Sequence, residues 1–192
     1  MSSWIPRLDN DAPAYGNINY VRYTSGGLNY YPDRDGFGWT LPNCTAWASG
    51  RQLENGYGDY IKPDNEFRDA QTWYAAAANY CDRGHDPKIG AIAVWHGGPL
   101  QPPDYAHTAG HVAVIEDYDP NTDLALFSNS NYSGAQYYWT TMSGHNPALG
   151  SLYTFLGYIY PAGDPKPSWF YPLICRRKRK NYGKFRTNRG AI

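Results

Sequence analysis

The sequence predicts an α+β domain, because two helical patterns come first in the chain and strand patterns follow them. The chain has 192 residues, of which 42% are hydrophobic, and this is enough for one domain with a packed core. Helical patterns cover residues 44–55 and 65–79, and short apolar runs separated by turn residues follow from residue 91 onwards. We therefore expect N-terminal helices packed on an antiparallel β-sheet.

The first predicted helix, residues 44–55, has clear signals at both ends. Asn43 is a residue type that caps helix N-termini, and Gly56 is a typical stop. Gly50 within this helix costs about 1 kcal/mol relative to Ala, so tertiary packing must hold the helix. The 42 residues before it are rich in Gly, Pro, Asn and Asp, and predict loops with short extended pieces such as residues 19–23.

The second predicted helix, residues 65–79, has Glu66 and Asp69 in its first turns, where the helix dipole favours acids. The strand patterns come after it, and Asp119-Pro120-Asn121 forms a turn that makes a hairpin of two of them. The predicted strands are residues 91–95, 111–118, 123–132, 136–141 and 152–160.

Charge divides the chain into two parts. We assign residues 1–163 to one domain, and residues 164–192 to a Pro/aromatic linker with a basic C-terminal tail. Residues 176–189 hold eight of the 17 Lys and Arg residues and no acid, whereas residues 1–175 carry nine basic against 17 acidic residues, a net charge of −8. Such a block is either a solvated tail or a salt-sensitive contact with an anionic polymer or membrane surface.

Composition also excludes some classes of protein. No stretch approaches 18 apolar residues, so no membrane span is expected, and the N-terminus has no recognisable signal peptide. The chain contains 19 Tyr and 7 Trp, whose polar edges tolerate water. A surface rich in these rings suits flat ligands such as sugars or peptides, and Tyr-rich packing of a loop-heavy fold is the alternative.

Three cysteines, Cys44, Cys81 and Cys175, leave at least one free thiol, and their spacing matches no zinc motif. Cys44 lies at a predicted helix start, where the partial positive charge of the dipole stabilises a thiolate and lowers the thiol pKa below about 8.5. This predicts that Cys44 is alkylated faster than the other two thiols near neutral pH. The alternative is a buried structural cysteine.

A partner for such a nucleophile is available on the predicted sheet. His111 begins a strand directly after Gly110, and from there its imidazole can meet a helix N-terminus as general base. Asn129 and Asn131 share one face of the hairpin partner, and either side chain can hold the imidazole tautomer. Glu116 is the next candidate for that role. The order Cys, His, Asn is the order found in papain.

Four sequence blocks, taken together, resemble the signature blocks of CHAP domains. They are N-C-T-A-W-A at 43–48, P-x-x-G-A-I-A-V-W at 87–95, G-H-V-A-V-I-E at 110–116 and S-N-S-N-Y at 128–132. CHAP domains are cysteine, histidine-dependent amidohydrolases/peptidases of the papain-like superfamily, related to NlpC/P60 proteins, and they cut bacterial peptidoglycan. The resemblance covers about residues 15–160 and implies a papain-like α+β fold.

The resemblance implies roles for individual residues. Cys44 matches the nucleophile and His111 the base. Asn129 falls where many members have the Glu that orients the histidine, and Asn131 falls on the family's frequent Asn, so the orienting role stays open between them. The backbone N–H of Cys44 and the side chain of Asn43 are candidate oxyanion donors.

Metal binding has a weaker basis in the sequence. Asp33 and Asp35 resemble a fragment of a calcium loop, and some phage CHAP domains bind calcium in a similar segment, but an ordinary Asp/Gly turn is the favoured interpretation. His107 and His111 have the spacing of a helical zinc pair, which Gly110 and the following strand pattern argue against. No cofactor is expected to be required, although calcium fits.

The resemblance implies a hydrolase that cleaves an amide bond in the peptide part of peptidoglycan, either as an endopeptidase or as an N-acetylmuramoyl-L-alanine amidase. The expected setting is a phage endolysin or tail-associated lysin, in the virion or in the host cytoplasm with release to the cell wall. The basic tail then suits an anionic wall polymer better than nucleic acid. The alternative is a non-catalytic wall-binding or virion structural module on the same fold.

Overall fold

The computed structural model describes residues 4–8, 18–21, 43–62, 65–98, 109–130 and 138–160. The predicted domain boundary at residues 163 and 164, the basic tail, Asp33, Asp35, His107, Asn131 and Cys175 lie outside these ranges. The α-helices are α1 (Ile18–Val21), α2 (Cys44–Glu54) and α3 (Trp73–Ala76), with 3₁₀ turns at Ala70–Thr72 and Ala77–Asn79. The strands are β1 (Arg83–Gly84), β2 (Ile92–Gly97), β3 (His111–Asp119), β4 (Leu124–Asn129), β5 (Tyr138–Ser143) and β6 (Tyr153–Ile159).

The strands of the described ranges form one antiparallel sheet in the order β1-β6-β2-β3-β4-β5. Alternating side chains of β3 enter two separate cores, because successive residues of a strand point to opposite faces. Val112 and Val114 pack with residues of the helical segments, whereas Ala113 and Ile115 pack with the other face of the sheet. An antiparallel sheet with few helices agrees with the predicted α+β class and is compatible with a papain-like fold.

Helix α2 begins and ends close to where the sequence predicts. The side-chain Oδ1 of Asn43 accepts a hydrogen bond from the backbone N–H of Ala46 at 3.0 Å, which confirms the predicted N-cap. The ring of Tyr20 explains Gly50: a Cβ at that position would lie 2.2 Å from Cδ1 of Tyr20. Tyr20 also stacks on Trp47, with ring centroids 5.2 Å apart. Close ring packing is therefore the tertiary contact that holds this helix.

Two local predictions are wrong. Residues 19–23 were predicted as extended, but Ile18–Val21 is the short helix α1, whose Tyr20 packs on α2. The continuous helix predicted over 65–79 is absent, because Glu66 has a φ of 67° and the helical turns begin only at Ala70. From there the chain alternates between 3₁₀ and α geometry as far as Asn79.

Apart from the end of β4, predicted at residue 132 and observed at Asn129, the strand ends lie within about two residues of their predicted positions. β3 and β4 form the predicted hairpin, with Val114 opposite Ser128. The two-residue strand β1 was predicted as loop. It forms only through pairing with the end of β6, a contact that the local sequence does not indicate. Within the described residues no helix is long and apolar enough to cross a membrane.

A buried carboxylate joins four separate segments of the chain. Glu116 of β3 accepts hydrogen bonds from the side chains of Arg51 (Nε at 2.7 Å and Nη2 at 2.9 Å), Ser128 (2.7 Å) and Trp4 (3.2 Å). It also accepts one from the backbone N–H of Arg7 at 2.9 Å. We call these five residues the Glu116 cluster. They tie the N-terminal segment, α2, β3 and β4 together.

A β-bulge places Glu116 in this position. Ile115 pairs with Phe127 and Asp117 pairs with Leu126, so Glu116 is the extra residue of β3. Its ion pair with Arg51 is almost entirely removed from solvent. A charge in such a place is tolerated only because its partners satisfy it.

We expect Glu116→Gln to destabilise the domain by about 3 to 5 kcal/mol, because it removes the fully buried counter-charge of Arg51 and leaves only the partly exposed Glu54 as its carboxylate partner. The measurement is the free energy of unfolding in a denaturant titration. The matched control is Glu66→Gln, which removes the exposed Glu66–Arg68 pair, 3.9 Å apart, and should change stability by less than about 0.5 kcal/mol. Equal effects of the two substitutions would contradict a structural role for the cluster.

Candidate active site

Cys44, the first residue of α2, meets the beginning of β3. The backbone N–H of Val112, the residue after His111, lies close enough to the Cys44 sulfur to favour its ionised form. The side chain of Cys44 is half-buried. Cys44 and Cys81 are both free thiols, which agrees with the expectation that at least one of the three cysteines is free. The helix start thus brings the predicted nucleophile to the strand end that bears the predicted base.

His111 and Asn129 lie on one face of the β3–β4 hairpin. Val114 pairs with Ser128, and both His111 and Asn129 are an odd number of residues away from that pair, so they share the opposite face. The imidazole Nε2–H of His111 donates to Oδ1 of Asn129 at 3.0 Å, and both side chains are buried. This tautomer leaves Nδ1 of His111 as the free proton acceptor.

The amide group of Asn129 has its own partners. Its Nδ2 donates to the backbone carbonyl of Phe127 at 3.1 Å and to Oγ1 of Thr140 at 3.0 Å. With Nδ2 committed to two acceptors, Oδ1 is the atom that faces the imidazole. The other asparagine considered, Asn131, lies outside the described residues. Glu116, the next candidate orienter, contacts Arg51 and not His111.

Asn43 is placed beside the predicted nucleophile, and its oxygen is already used. Oδ1 accepts from the backbone N–H of Ala46 at 3.0 Å and from the hydroxyl of Thr45 at 2.9 Å. The group that Asn43 can offer to a developing oxyanion is therefore its Nδ2, next to the backbone N–H of Cys44.

The electrostatics of the pair differ from the sequence-based expectation. Burial raises the pKa of the Cys44 thiol to about 11, and the backbone N–H groups of Val112 and Thr45 lower it only in part. Burial lowers the pKa of His111, and its hydrogen bond with Asn129 opposes this. The predicted low pKa for Cys44 is thus wrong, because desolvation outweighs the favourable effect of the helix start. At neutral pH the resting pair is an uncharged thiol and an uncharged imidazole.

Side chains for which the sequence predicted no role in the site lie near Cys44 or His111. The Trp95 ring packs 5.9 Å from the imidazole of His111, and its Nε1 donates to the carbonyl of Pro147 at 2.9 Å. Burial raises the pKa of the half-buried Tyr153, and a negative charge on the nearby Cys44 sulfur raises the Tyr153 pKa further. The carboxylate of Asp69 adds to the raised pKa of Cys44. No local pattern marks these residues, because the fold brings them together.

Gly110 allows the turn that presents His111. Its φ is +72°, a conformation that L side chains rarely adopt. A Cβ at this position would lie 2.4 Å from the carbonyl oxygen of Trp95 and 2.8 Å from the backbone nitrogen of Gln71. That nitrogen donates to the carbonyl of Ala109 at 3.0 Å, so the turn is pinned against the 3₁₀ segment.

Comparison with known proteins identifies the family of this chain. The CHAP domain family model matches residues 32–131, a range that contains Cys44, His111 and Asn129. The chain belongs to the CHAP domain family. A crystal structure of N-acetylmuramoyl-L-alanine amidase from Staphylococcus aureus is similar at 22% identity with a TM-score of 0.47. The match covers 70% of this chain and 34% of that one, so the chain spans about a third of that protein's length. No curated protein matches the chain.

Metal binding stays a prediction from the sequence. Within the described ranges, no group of three or more His, Cys, Asp or Glu side chains is arranged to hold an ion. Asp33 and Asp35, the residues of the calcium hypothesis, lie outside those ranges, as does His107.

We expect Cys44 to react slowly with iodoacetamide at neutral pH. With a pKa of about 11, only about one Cys44 thiol in ten thousand is ionised at pH 7. The logarithm of its alkylation rate should therefore rise by about one for each pH unit between about pH 6.5 and about pH 9.5. Mass spectrometry of the Cys44 peptide measures this rate, with the Cys81 peptide of the same digest as internal reference. A rate that is already constant at neutral pH would show a pre-formed thiolate.

Proposed function

We propose that this CHAP domain is a peptidoglycan hydrolase that cleaves an amide bond of the wall peptide by a Cys–His mechanism. The observation that supports the proposal most strongly is the 3.0 Å hydrogen bond between Nε2 of His111 and Oδ1 of Asn129, on the strand against which the Cys44 sulfur lies. It leaves an oriented imidazole at the start of the strand whose next residue, Val112, lies close to the free thiol at the start of α2. The rival, a non-catalytic wall-binding or virion structural module, gives no reason for this arrangement.

The reaction begins with a proton transfer from Cys44 to His111. Because burial keeps the thiol neutral and the imidazole neutral, the proton moves to Nδ1 as the sulfur attacks the substrate carbonyl. The backbone N–H of Cys44 and Nδ2 of Asn43 are the proposed donors for the resulting oxyanion. The amide oxygen of Asn129 accepts a hydrogen bond from the imidazolium that forms and stabilises its charge.

The second half of the reaction uses the same groups in the reverse sense. The His111 imidazolium gives its proton to the leaving amine, and a thioester on Cys44 remains. His111 then takes a proton from water as the water oxygen attacks the thioester, and it returns that proton to the Cys44 sulfur as the sulfur leaves and the new carboxylic acid is released. One imidazole therefore acts first as base and then as acid in each half of the reaction.

The direction of the His111 shift sets the pH dependence of this mechanism. Only neutral His111 accepts the thiol proton, and burial lowers the pKa of His111. The turnover rate should therefore rise as the pH increases through that lowered pKa, and this rise should be complete by neutral pH. The raised pKa of Cys44 adds no further limb near neutrality, because its thiol stays protonated there.

The finer features of the proposal rest on the sequence. Cleavage as an endopeptidase and as an N-acetylmuramoyl-L-alanine amidase both fit the site, and the masses of the released fragments distinguish them. The setting we propose is a phage endolysin or tail-associated lysin that acts from the virion, or from the host cytoplasm after release to the wall. Calcium binding by Asp33 and Asp35 and contact of the basic tail with an anionic wall polymer are proposals of the same kind.

We expect Cys44→Ala to lower the rate of wall hydrolysis by several orders of magnitude without loss of the fold, because the nucleophile belongs to a cooperating set. The measurement is the release of soluble fragments from purified peptidoglycan, with circular dichroism to verify folding. The matched control is Cys81→Ala, which removes the other described thiol and should retain wild-type turnover. Near wild-type hydrolysis by the Cys44→Ala variant would refute the cysteine mechanism, whereas a wild-type protein that releases nothing would refute the proposed function.

A further inference from the structure

The orientation of the Asn129 amide decides which nitrogen of His111 is available as base. A primary amide turned by half a revolution fills nearly the same volume but exchanges its oxygen and nitrogen. Turned in that way, Asn129 would present Nδ2 to Nε2 of His111 and favour the tautomer with its proton on Nδ1. That tautomer has no lone pair left on Nδ1 for the proton of Cys44. The correct amide orientation is thus a requirement of the proposed function.

Two acceptors hold the amide in the productive orientation. The backbone carbonyl of Phe127, 3.1 Å from Nδ2, can only accept a hydrogen bond, so it determines which end of the amide faces it. The hydroxyl oxygen of Thr140, 3.0 Å from Nδ2, accepts the second N–H. Held by the Phe127 carbonyl alone, the amide can still turn about that single hydrogen bond and move Oδ1 away from the imidazole.

The sheet register brings Thr140 to this place. Thr140 of β5 pairs with Phe127 of β4, two residues before Asn129, so Thr140 and Asn129 share the face that also bears His111. Thr141 pairs with Leu126, points to the opposite face and is exposed. Adjacent threonines thus differ in whether they can reach the amide, and the chain supplies its own control position.

We propose that Thr140 is a positioning residue: its hydroxyl fixes the Asn129 amide and, through it, the tautomer of His111. His111 on β3 donates a hydrogen bond to Asn129 on β4, and Asn129 donates one to Thr140 on β5. Thr140 therefore acts on the imidazole through Asn129, from two strands away. The consequence for turnover rests on the proposed function, whereas the consequence for the tautomer does not.

The kinetic experiment compares Thr140→Val, Thr140→Ser and Thr141→Val on soluble peptidoglycan fragments, with Asn129→Ala as the reference variant. Thr140→Val keeps the side-chain shape and removes the acceptor, so kcat should fall by about 3- to 30-fold with KM unchanged, less than the loss in Asn129→Ala. Thr140→Ser restores the hydroxyl and should restore kcat, and Thr141→Val should leave it unchanged. A Thr140→Ser variant as impaired as Thr140→Val, or a Thr140→Val variant with wild-type kcat, would overturn the proposal.

The tautomer is read independently of turnover from the ¹⁵N shifts of the His111 ring, in the full chain at about pH 8, where the imidazole is neutral. The wild type should show the proton on Nε2 alone, and Thr140→Val a mixture of both tautomers. A reduced kcat with an unchanged tautomer would mean a general structural loss and would overturn the proposal. Should Thr140→Val fail to fold, Thr140→Ala makes the same deletion and is judged by the same readouts. These spectra remain decisive even if the wild type hydrolyses no wall peptide.

Discussion

The buried carboxylate of Glu116 is the constraint on which the rest of the described structure depends. Isolation of such a charge from water is very unfavourable, and only its full set of donors makes it tolerable. Those donors come from the N-terminal segment, α2 and β4, so none of these segments can shift relative to β3 without leaving the charge unsatisfied. Helix α2 is thereby held against the strand that begins with His111, and its first residue, Cys44, is held with it.

Much of the fold follows from local sequence signals, and the failures have tertiary causes. Asn43 identifies the start of α2, and the turn after β3 together with alternating apolar residues identifies the hairpin. The short helix at Ile18–Val21 was missed because its Tyr20 is placed by packing over Gly50, a contact that no pattern within the segment contains. The helix expected over residues 65–79 was interrupted by a positive φ at Glu66, a residue type for which that conformation is uncommon.

The candidate site shows the same division between local and tertiary information. Cys44, His111 and the alternatives Asn129 and Asn131 were proposed from residue type, order and strand alternation, and from the resemblance to CHAP domains. The direction of the Cys44 pKa was not identified, because desolvation depends on what the fold packs around the sulfur. Thr140 was not identified either, since its relation to Asn129 exists only through the β4–β5 register. The sequence therefore predicts which residue types form the candidate site better than it predicts their pKa values.

In the proposed mechanism, Cys44 forms a thioester with the wall peptide after His111 has accepted the thiol proton. The most direct test is hydrolysis of soluble peptidoglycan fragments in the presence of hydroxylamine, which intercepts thioesters. We expect a hydroxamate of the cleaved peptide to replace part of the carboxylic acid product, in a proportion that rises with hydroxylamine concentration. Continued hydrolysis that yields only the carboxylic acid at every hydroxylamine concentration would show that water attacks directly, and would contradict a nucleophilic Cys44.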